Sequence, residues 1–229
     1  MTTKSAAIRP IRSYVTRSGR LTDSQRNAIE NYWYSHVIEF RNELMELSAF
    51  FPQSSPITLE IGFGMGASLL KMAQQEPRRN FLGIDVHRPG IGKVLHEIVA
   101  NDIRNLKLVC HDAKEFLEFG LSEKCLDRVL IFFPDPWPKK RHHKRRLIQT
   151  EFIDLLSSKL IKGGTLHLAT DWSPYAESML EILEANSCLR NKFGAGVYWE
   201  KPDRPSTKFE IRGKRLGHTI WDLLFIKTT

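Results

Sequence analysis

From residue 57 to residue 170 the chain repeats one unit: a short apolar run of strand length, then a longer segment whose apolar residues recur at helical spacing. The runs lie at 57–61, 80–85, 106–110, 126–132 and 165–169, with a late one at 220–226. Helical patterns fall between them at 66–76, 89–102, 113–119, 148–160 and 173–186. In the fourth of these, Ile148, Phe152, Leu155, Leu156 and Leu160 form one apolar face. Strand and helix alternating in this way predict an α/β fold, a mainly parallel sheet covered on both faces. Upstream, Thr22 and Gln25 have the spacing of a capping box and predict a helix over 23–35. A second helical stretch is expected over 36–50, and Phe51-Pro52-Gln53-Ser54-Ser55-Pro56 reads as a linker into the sheet.

Composition removes several classes. No stretch approaches the roughly 18–20 consecutive apolar residues of a membrane-spanning helix, and the polar, basic first ten residues lack the apolar centre of a secretory signal. Cys110, Cys125 and Cys188 are odd in number and far apart, which points to reduced thiols in a cytoplasmic protein and not to a disulfide frame. Without a Cys-x-x-Cys pair, and with no histidine at metal-site spacing, no metal is expected.

Charge points to a polyanion. The formal net charge is +8, and its distribution is uneven. Residues 1–22 carry Lys4, Arg9, Arg12, Arg17 and Arg20 with no acid; they are read as a basic, flexible arm ahead of one domain at 23–229. Lys139, Lys140, Arg141, His142, His143, Lys144, Arg145 and Arg146 form an unbroken run. Such a run is commonly a solvated loop, but its self-repulsion is relieved beside phosphates.

In parallel-sheet folds ligands sit beyond the carboxyl ends of the strands. After the first strand comes Glu60-Ile61-Gly62-Phe63-Gly64-Met65-Gly66, whose glycines let a ligand approach the backbone. Gly62, Gly64 and Ala67 also satisfy a dinucleotide fingerprint, and Asp85, 21 residues after Gly64, suits a ribose in either case. The later strand ends separate the two readings. Asp112, Asp135 and Asp171 follow strands three, four and five, so with Glu60 and Asp85 all five carry an acid. One such acid is an ordinary helix cap. Five on a net basic chain fit a cationic ligand such as a sulfonium and would repel a pyrophosphate.

The ordered set Leu59-Glu60-Ile61-Gly62-Phe63-Gly64-Met65-Gly66, Gly83-Ile84-Asp85-Val86-His87, His111-Asp112-Ala113, Pro134-Asp135-Pro136-Trp137-Pro138 running into the basic octet, Thr170-Asp171-Trp172 and Thr207-Lys208-Phe209-Glu210 resembles the bacterial tRNA (guanine-N7)-methyltransferase family from about residue 22 to the C-terminus. The glycine segment alone marks only the wider superfamily; the proline-framed acid followed by the octet is far more specific. One departure is Asp85, where the family often has Glu.

The resemblance implies a Rossmann-like class I fold with a seven-stranded sheet, S-adenosylmethionine as methyl donor, and N7 of a guanosine in the tRNA variable loop as acceptor. It also implies roles. Glu60 with Gly62, Gly64 and Gly66 would bound the methionine end of the cofactor, Asp85 its ribose, and Asp112 and Ala113 its adenine. Asp135 would sit where cofactor and acceptor base meet, as the catalytic carboxylate. Asp171 and Glu210 would accept the guanine N–H groups; Lys139, Thr207 and Lys208 would hold the adjoining phosphate or sugar, and Phe209 would pack under the base. Arg141, His142, His143, Lys144, Arg145 and Arg146 would grip RNA. Two other readings stay open on the residues alone: an NAD(P)-dependent oxidoreductase, and a non-catalytic RNA-binding protein on a methyltransferase fold. The oligomeric state, monomer or homodimer, is not legible.

Overall fold

The computed structural model describes residues 12–14 and 19–229. Most of the arm expected over residues 1–22 therefore lies outside the described residues. In chain order the elements are α1 (Asp23–His36), β1 (Ile57–Ile61), α2 (Ala67–Gln75), β2 (Asn80–Ile84), α3 (Arg88–Ala100), β3 (Leu106–Val109), α4 (Ala113–Glu115), β4 (Leu126–Phe132), α5 (Thr150–Lys159), β5 (Leu160–Thr170), α6 (Ser173–Ala185), β6 (Leu189–Asn191), α7 (Lys208–Arg215) and β7 (Trp221–Lys227). The capping box at α1 forms as expected: the Thr22 hydroxyl accepts from Gln25 N, and the Gln25 side chain accepts from Thr22 N.

The seven strands form one sheet in the order β3-β2-β1-β4-β5-β7-β6. The first five are parallel. β7 runs antiparallel to both β5 and β6, so the sheet is mixed, with an antiparallel edge on a parallel body. The chain winds outward from β1 to β3, then returns to start β4 on the other side of β1. That reversal opens a crevice at the carboxyl ends of β1 and β4, where open α/β sheets place their ligands.

Strand alternation sorts the side chains into two cores. Leu59, Ile61, Val129, Ile131, Leu166 and Leu168 face α5 and α6, packing on Phe152, Leu156, Tyr175 and Met179. Phe81, Leu106, Leu108, Leu130 and Phe132 point the other way, onto Leu69, Met72, Val94, Leu95 and Ile98 of α2 and α3 and Ala28 of α1. Helices thus cover both faces, and both faces of the central strands are dry. Full burial of each of these side chains contributes about 1.5–3 kcal/mol before conformational entropy is subtracted. The end of α2 and the turn after it are tied down by Asn105, whose amide donates to the carbonyls of Ala73, Glu76 and Arg79.

The structure corrects the reading of residues 36–50. No second α-helix forms there. Val37 makes a parallel bridge to Leu108, Met45 bridges to Leu121, and only Leu47–Phe50 makes a 3-10 turn, capped by Glu46. The extended stretch puts main-chain groups against the open edge of β3, with Ile38 N donating to Leu108 O, and an exposed strand edge is a stronger demand than local helical spacing. Of the seven strands that the resemblance implies, the short β6 has no apolar run in the sequence reading, and helix α7 is likewise absent from it.

Candidate active site

The glycine segment after β1 makes one wall of the crevice. Gly62 and Gly64 take positive φ (76° and 57°), and a Cβ on either would meet no atom within 4 Å. Both therefore border open space that a side chain would fill, at a backbone conformation that costs an L-residue about 1–2 kcal/mol. The loop is held from two directions. Asp85, just past β2, accepts from Gly64 N at 2.7 Å through Oδ2 and from His87 N at 2.8 Å through Oδ1. Gly90 in α3 lies so close that a Cβ there would come within 1.9 Å of Gly64 O. Gly66 serves as N-cap of α2, and its own Cβ would strike Val94.

Glu60 sits beneath this loop with 3% of its surface exposed. Its Oε2 is buried and, among the described residues, has no hydrogen-bond partner. Burial, and then repulsion from Asp85, push its carboxyl up to about 8, against a smaller pull from Arg204. A buried acid without a partner is costly to a fold, and this one lines the crevice.

The opposite wall is the segment after β4. Phe133 and Trp137 adopt φ of 55° and 44°, an uncommon region for bulky residues, and each is followed by a proline. Pro134, Pro136 and Pro138 stiffen the loop that carries Asp135. Trp137 donates from Nε1 to Ser13 O at 3.2 Å and lies under the Arg145 guanidinium at 5.0 Å. Arg146 donates to Pro136 O at 3.0 Å and covers the Tyr175 ring at 4.6 Å. The loop is thus braced at the two residues that follow Asp135, which is itself exposed on the wall.

Together these segments enclose a cleft of about 880 Å³. Glu60, Gly62, Gly64, Gly66, Asp85, Ala113 and Asp135 all line it, and Thr207, Lys208 and Phe209 close its far side. Phe209 is 55% exposed, and its ring faces that of Phe133 at 6.4 Å. Asp112, Asp171, Lys139 and Glu210 are not part of the lining. Asp112 caps α4, accepting from Lys114 N and Glu115 N. Asp171 is 3.1 Å from His218 Nδ1.

The basic run folds as the 3-10 turn Lys140–Arg145 beside the Asp135 loop. Lys139, Lys140, Arg141 and Lys144 are exposed, whereas His142, His143 and Arg145 are half-buried. Partial desolvation and then the neighbouring cations hold His142 below the usual histidine range, a sign of the crowding of like charge. Arg146 departs from the expectation of an RNA-facing group. It is 5% exposed, because its guanidinium is used to brace the loop.

Sequence reasoning missed the polar centre beneath α7. Arg204, which carries no motif in the sequence, has a buried side chain that donates to both oxygens of Asp222 at 2.7 and 2.9 Å and to Glu210 Oε2. Asp222 also meets His167 at 2.7 Å. The available signal was Asp222 itself, an acid inside an apolar strand, which requires a cation.

A family model described as a putative methyltransferase matches residues 54–223. A curated relative from Serratia proteamaculans, named tRNA (guanine-N(7)-)-methyltransferase, is 51% identical over 220 residues, covering 96% of this chain and 92% of its own. The chain belongs to the tRNA (guanine-N7)-methyltransferase family. A member with the same name from Shewanella frigidimarina is 50% identical over 222 residues, covering 96% and 93% of the two chains. Among solved structures the fold is shared with the 16S rRNA methyltransferase KamB (TM-score 0.58, 15% identity, 85% of this chain and 99% of that one). It is also shared with a putative methyltransferase from Streptococcus mutans in complex with SAH (TM-score 0.51, 10% identity, 76% and 90% covered). The glycine segment, the acid ending each parallel strand and the Asp135 loop of this tRNA (guanine-N7)-methyltransferase family member all fall between residues 54 and 223. Helix α1 and the end of β7 lie outside that span.

Proposed function

We propose that this protein transfers a methyl group from S-adenosylmethionine to N7 of a guanosine in the tRNA variable loop, giving 7-methylguanosine, with residues 23–229 acting as one catalytic unit. The observation that carries the reading is Glu60: it lines the same cleft as Asp85, Asp135 and the glycine segment, and its buried Oε2 has no hydrogen-bond partner among the described residues. An ammonium group held at Glu60 would supply the missing partner. Gly62 and Gly64 leave room for the donor's chain against the backbone. Asp85 spends one lone pair per oxygen on the loop and keeps others for ribose hydroxyls. Ala113, behind the Asp112 cap, leaves space for adenine. When bound, S-adenosylmethionine supplies a methyl group on a positively charged sulfur.

The protein's part in the reaction is mainly positioning. Guanine N7 already exposes a lone pair in its neutral form, so no proton leaves before attack and no strong general base is required. The braced Asp135 loop fixes a carboxylate where acceptor and donor meet. There it stabilises positive charge as it passes to the base and holds the base for a straight line of attack. Phe209 offers a face for the base, while Thr207 and Lys208 hold the adjoining backbone. The exposed cations Lys139, Lys140, Arg141 and Lys144 draw in phosphates within reach of the cleft. The acid lining disfavours a dinucleotide pyrophosphate, and the Glu60 oxygen has no role in a purely RNA-binding protein.

The test is transfer of labelled methyl from S-adenosylmethionine to deproteinised tRNA, with ribosomal RNA and free guanosine as competing acceptors. Label in tRNA alone supports the reading; label only in ribosomal RNA, or in none, refutes it.

A further inference from the structure

Glu210 lies in the motif next to the cleft, yet its carboxylate is withdrawn from it. Only 6% of the residue is exposed, and each oxygen already has a cation: Oε2 accepts from Arg204 Nη1 and Oε1 from Lys214 Nζ. Burial raises its pKa, but Lys214 and then Arg204 outweigh that and keep it below the usual carboxylate range. Reading guanine requires two acceptor oxygens free and facing the base edge, which this arrangement denies.

Arg204 explains where the carboxylate has gone. Its side chain is 4% exposed, and its planar fork spans two acids that come from different elements, Asp222 in β7 and Glu210 in α7. The same guanidinium lies 5.0 Å over Phe132 and 5.7 Å over Phe133, the residues that lead from β4 into the Asp135 loop. Burial acts to lower the Arg204 pKa, but its hydrogen bonds to Asp222 and Glu210 reverse the sign and lock it charged. Three elements therefore meet on one cation. Thr207, Lys208 and Phe209, which line the cleft, sit within one helical turn of Glu210, and the Thr207 hydroxyl caps Glu210 N.

We infer that Arg204 is a positioning residue for methyl transfer: it fixes the first turn of α7 against the Asp135 loop, and Glu210 anchors α7 to Arg204 instead of reading the acceptor base. This rests on the function proposed above. Arg204 touches neither base nor cofactor. Its loss lets Phe209 and Lys208 shift relative to Asp135, and a displacement of about an ångström costs on the order of 100-fold in rate.

The experiment compares wild type, Arg204→Met, Arg204→Lys, Glu210→Gln and the Arg204→Met/Glu210→Gln double variant. Substrates are tRNA with the acceptor guanosine intact and tRNA with inosine at that position, which lacks the exocyclic amine. Arg204→Met is expected to lose roughly 100-fold in kcat at saturating tRNA, with cofactor affinity within about threefold of wild type by the same argument. Arg204→Lys keeps the charge but not the fork and recovers only part of the rate. Glu210→Gln slows both tRNAs alike, leaving the guanosine-to-inosine ratio at the wild-type value, and the double variant is no slower than Arg204→Met alone. A collapse of that ratio in Glu210→Gln, multiplicative losses in the double variant, or lowered melting temperature with kcat intact would each overturn the inference. If Arg204→Met does not fold, the inosine ratio in Glu210→Gln decides alone. Wild type that fails to methylate tRNA at all refutes the underlying function and this inference with it, whereas active wild type with equally active variants refutes only this one.

Discussion

Replacing Glu60 by Gln isolates the charge at the floor of the cleft without changing its shape. Burial and Asp85 hold the wild-type carboxyl at about 8, so at pH 7 roughly nine molecules in ten carry it neutral. A cationic amine brought against Oε2 favours the anion, and binding then expels the proton. Affinity for S-adenosylmethionine should therefore rise about tenfold from pH 6 to pH 7 and level off near pH 8. There about half of Glu60 is already ionised in the free protein, and an α-amino group loses its own proton at about 7.7–8.0. Calorimetric titration at pH 7 in phosphate and in Tris, which differ in ionisation enthalpy, reads the release directly: about 0.9 proton for wild type and none from this site in Glu60→Gln. The ligand-free protein gives an independent check of sign. The folded pKa lies above the unfolded one, so the folded state binds the extra proton. Stability is then fully present below the unfolded value near 4.5 and falls by about 1.4 kcal/mol per pH unit between pH 5 and pH 8. Glu60→Gln should flatten that slope. Equal pH slopes in the two proteins, or no proton release from wild type, would refute the assignment of Glu60.

Four other outcomes follow from the same geometry. Gly90→Ala drives a Cβ to within 1.9 Å of Gly64 O; the overlap costs about 1–3 kcal/mol, and calorimetry should show at least about tenfold weaker cofactor binding with a melting temperature several degrees lower. Replacing Lys140, Arg141 and Lys144 by Gln should reduce the slope of log affinity for tRNA against log salt by about 0.7–0.9 for each phosphate that is no longer neutralised, measured by filter binding. By contrast, Arg146→Gln should lower stability with little change in that slope. Asp135→Ala should reduce the single-turnover methylation rate by at least about 100-fold while tRNA affinity changes less than threefold, and an unchanged rate would remove Asp135 from the mechanism.

The sheet was readable because its signals are local. Five runs such as Leu126–Phe132 are too apolar to face water, and alternation with amphipathic segments such as α5 leaves few other arrangements. The cleft was readable for the same reason, since Glu60, Asp85 and Asp135 each end a strand and the topology alone brings strand ends together. Errors arose where tertiary demands overrode local pattern. The sequence predicts a helical stretch over 36–50, but Val37 and Ile38 pair with the edge of β3 and Met45 bridges Leu121 instead. The sequence points Glu210 to the acceptor base and Arg146 to RNA, and does not show that both are buried against specific partners. Arg204 gives no sign of its role in sequence, because its partner Asp222 lies 18 residues away. Gly90 likewise gives no local sign that it packs on the carbonyl of Gly64.

One chemical product at one kind of site is the expected outcome of catalysis. Purified protein incubated with S-adenosylmethionine and unmodified tRNA, followed by nuclease digestion and nucleoside mass spectrometry, names both the atom and the acceptor. A single new nucleoside, 7-methylguanosine, is expected, mapping to the variable loop on fragment analysis. Methylation on an exocyclic amine or a ribose oxygen, or 7-methylguanosine elsewhere in the tRNA, would contradict it.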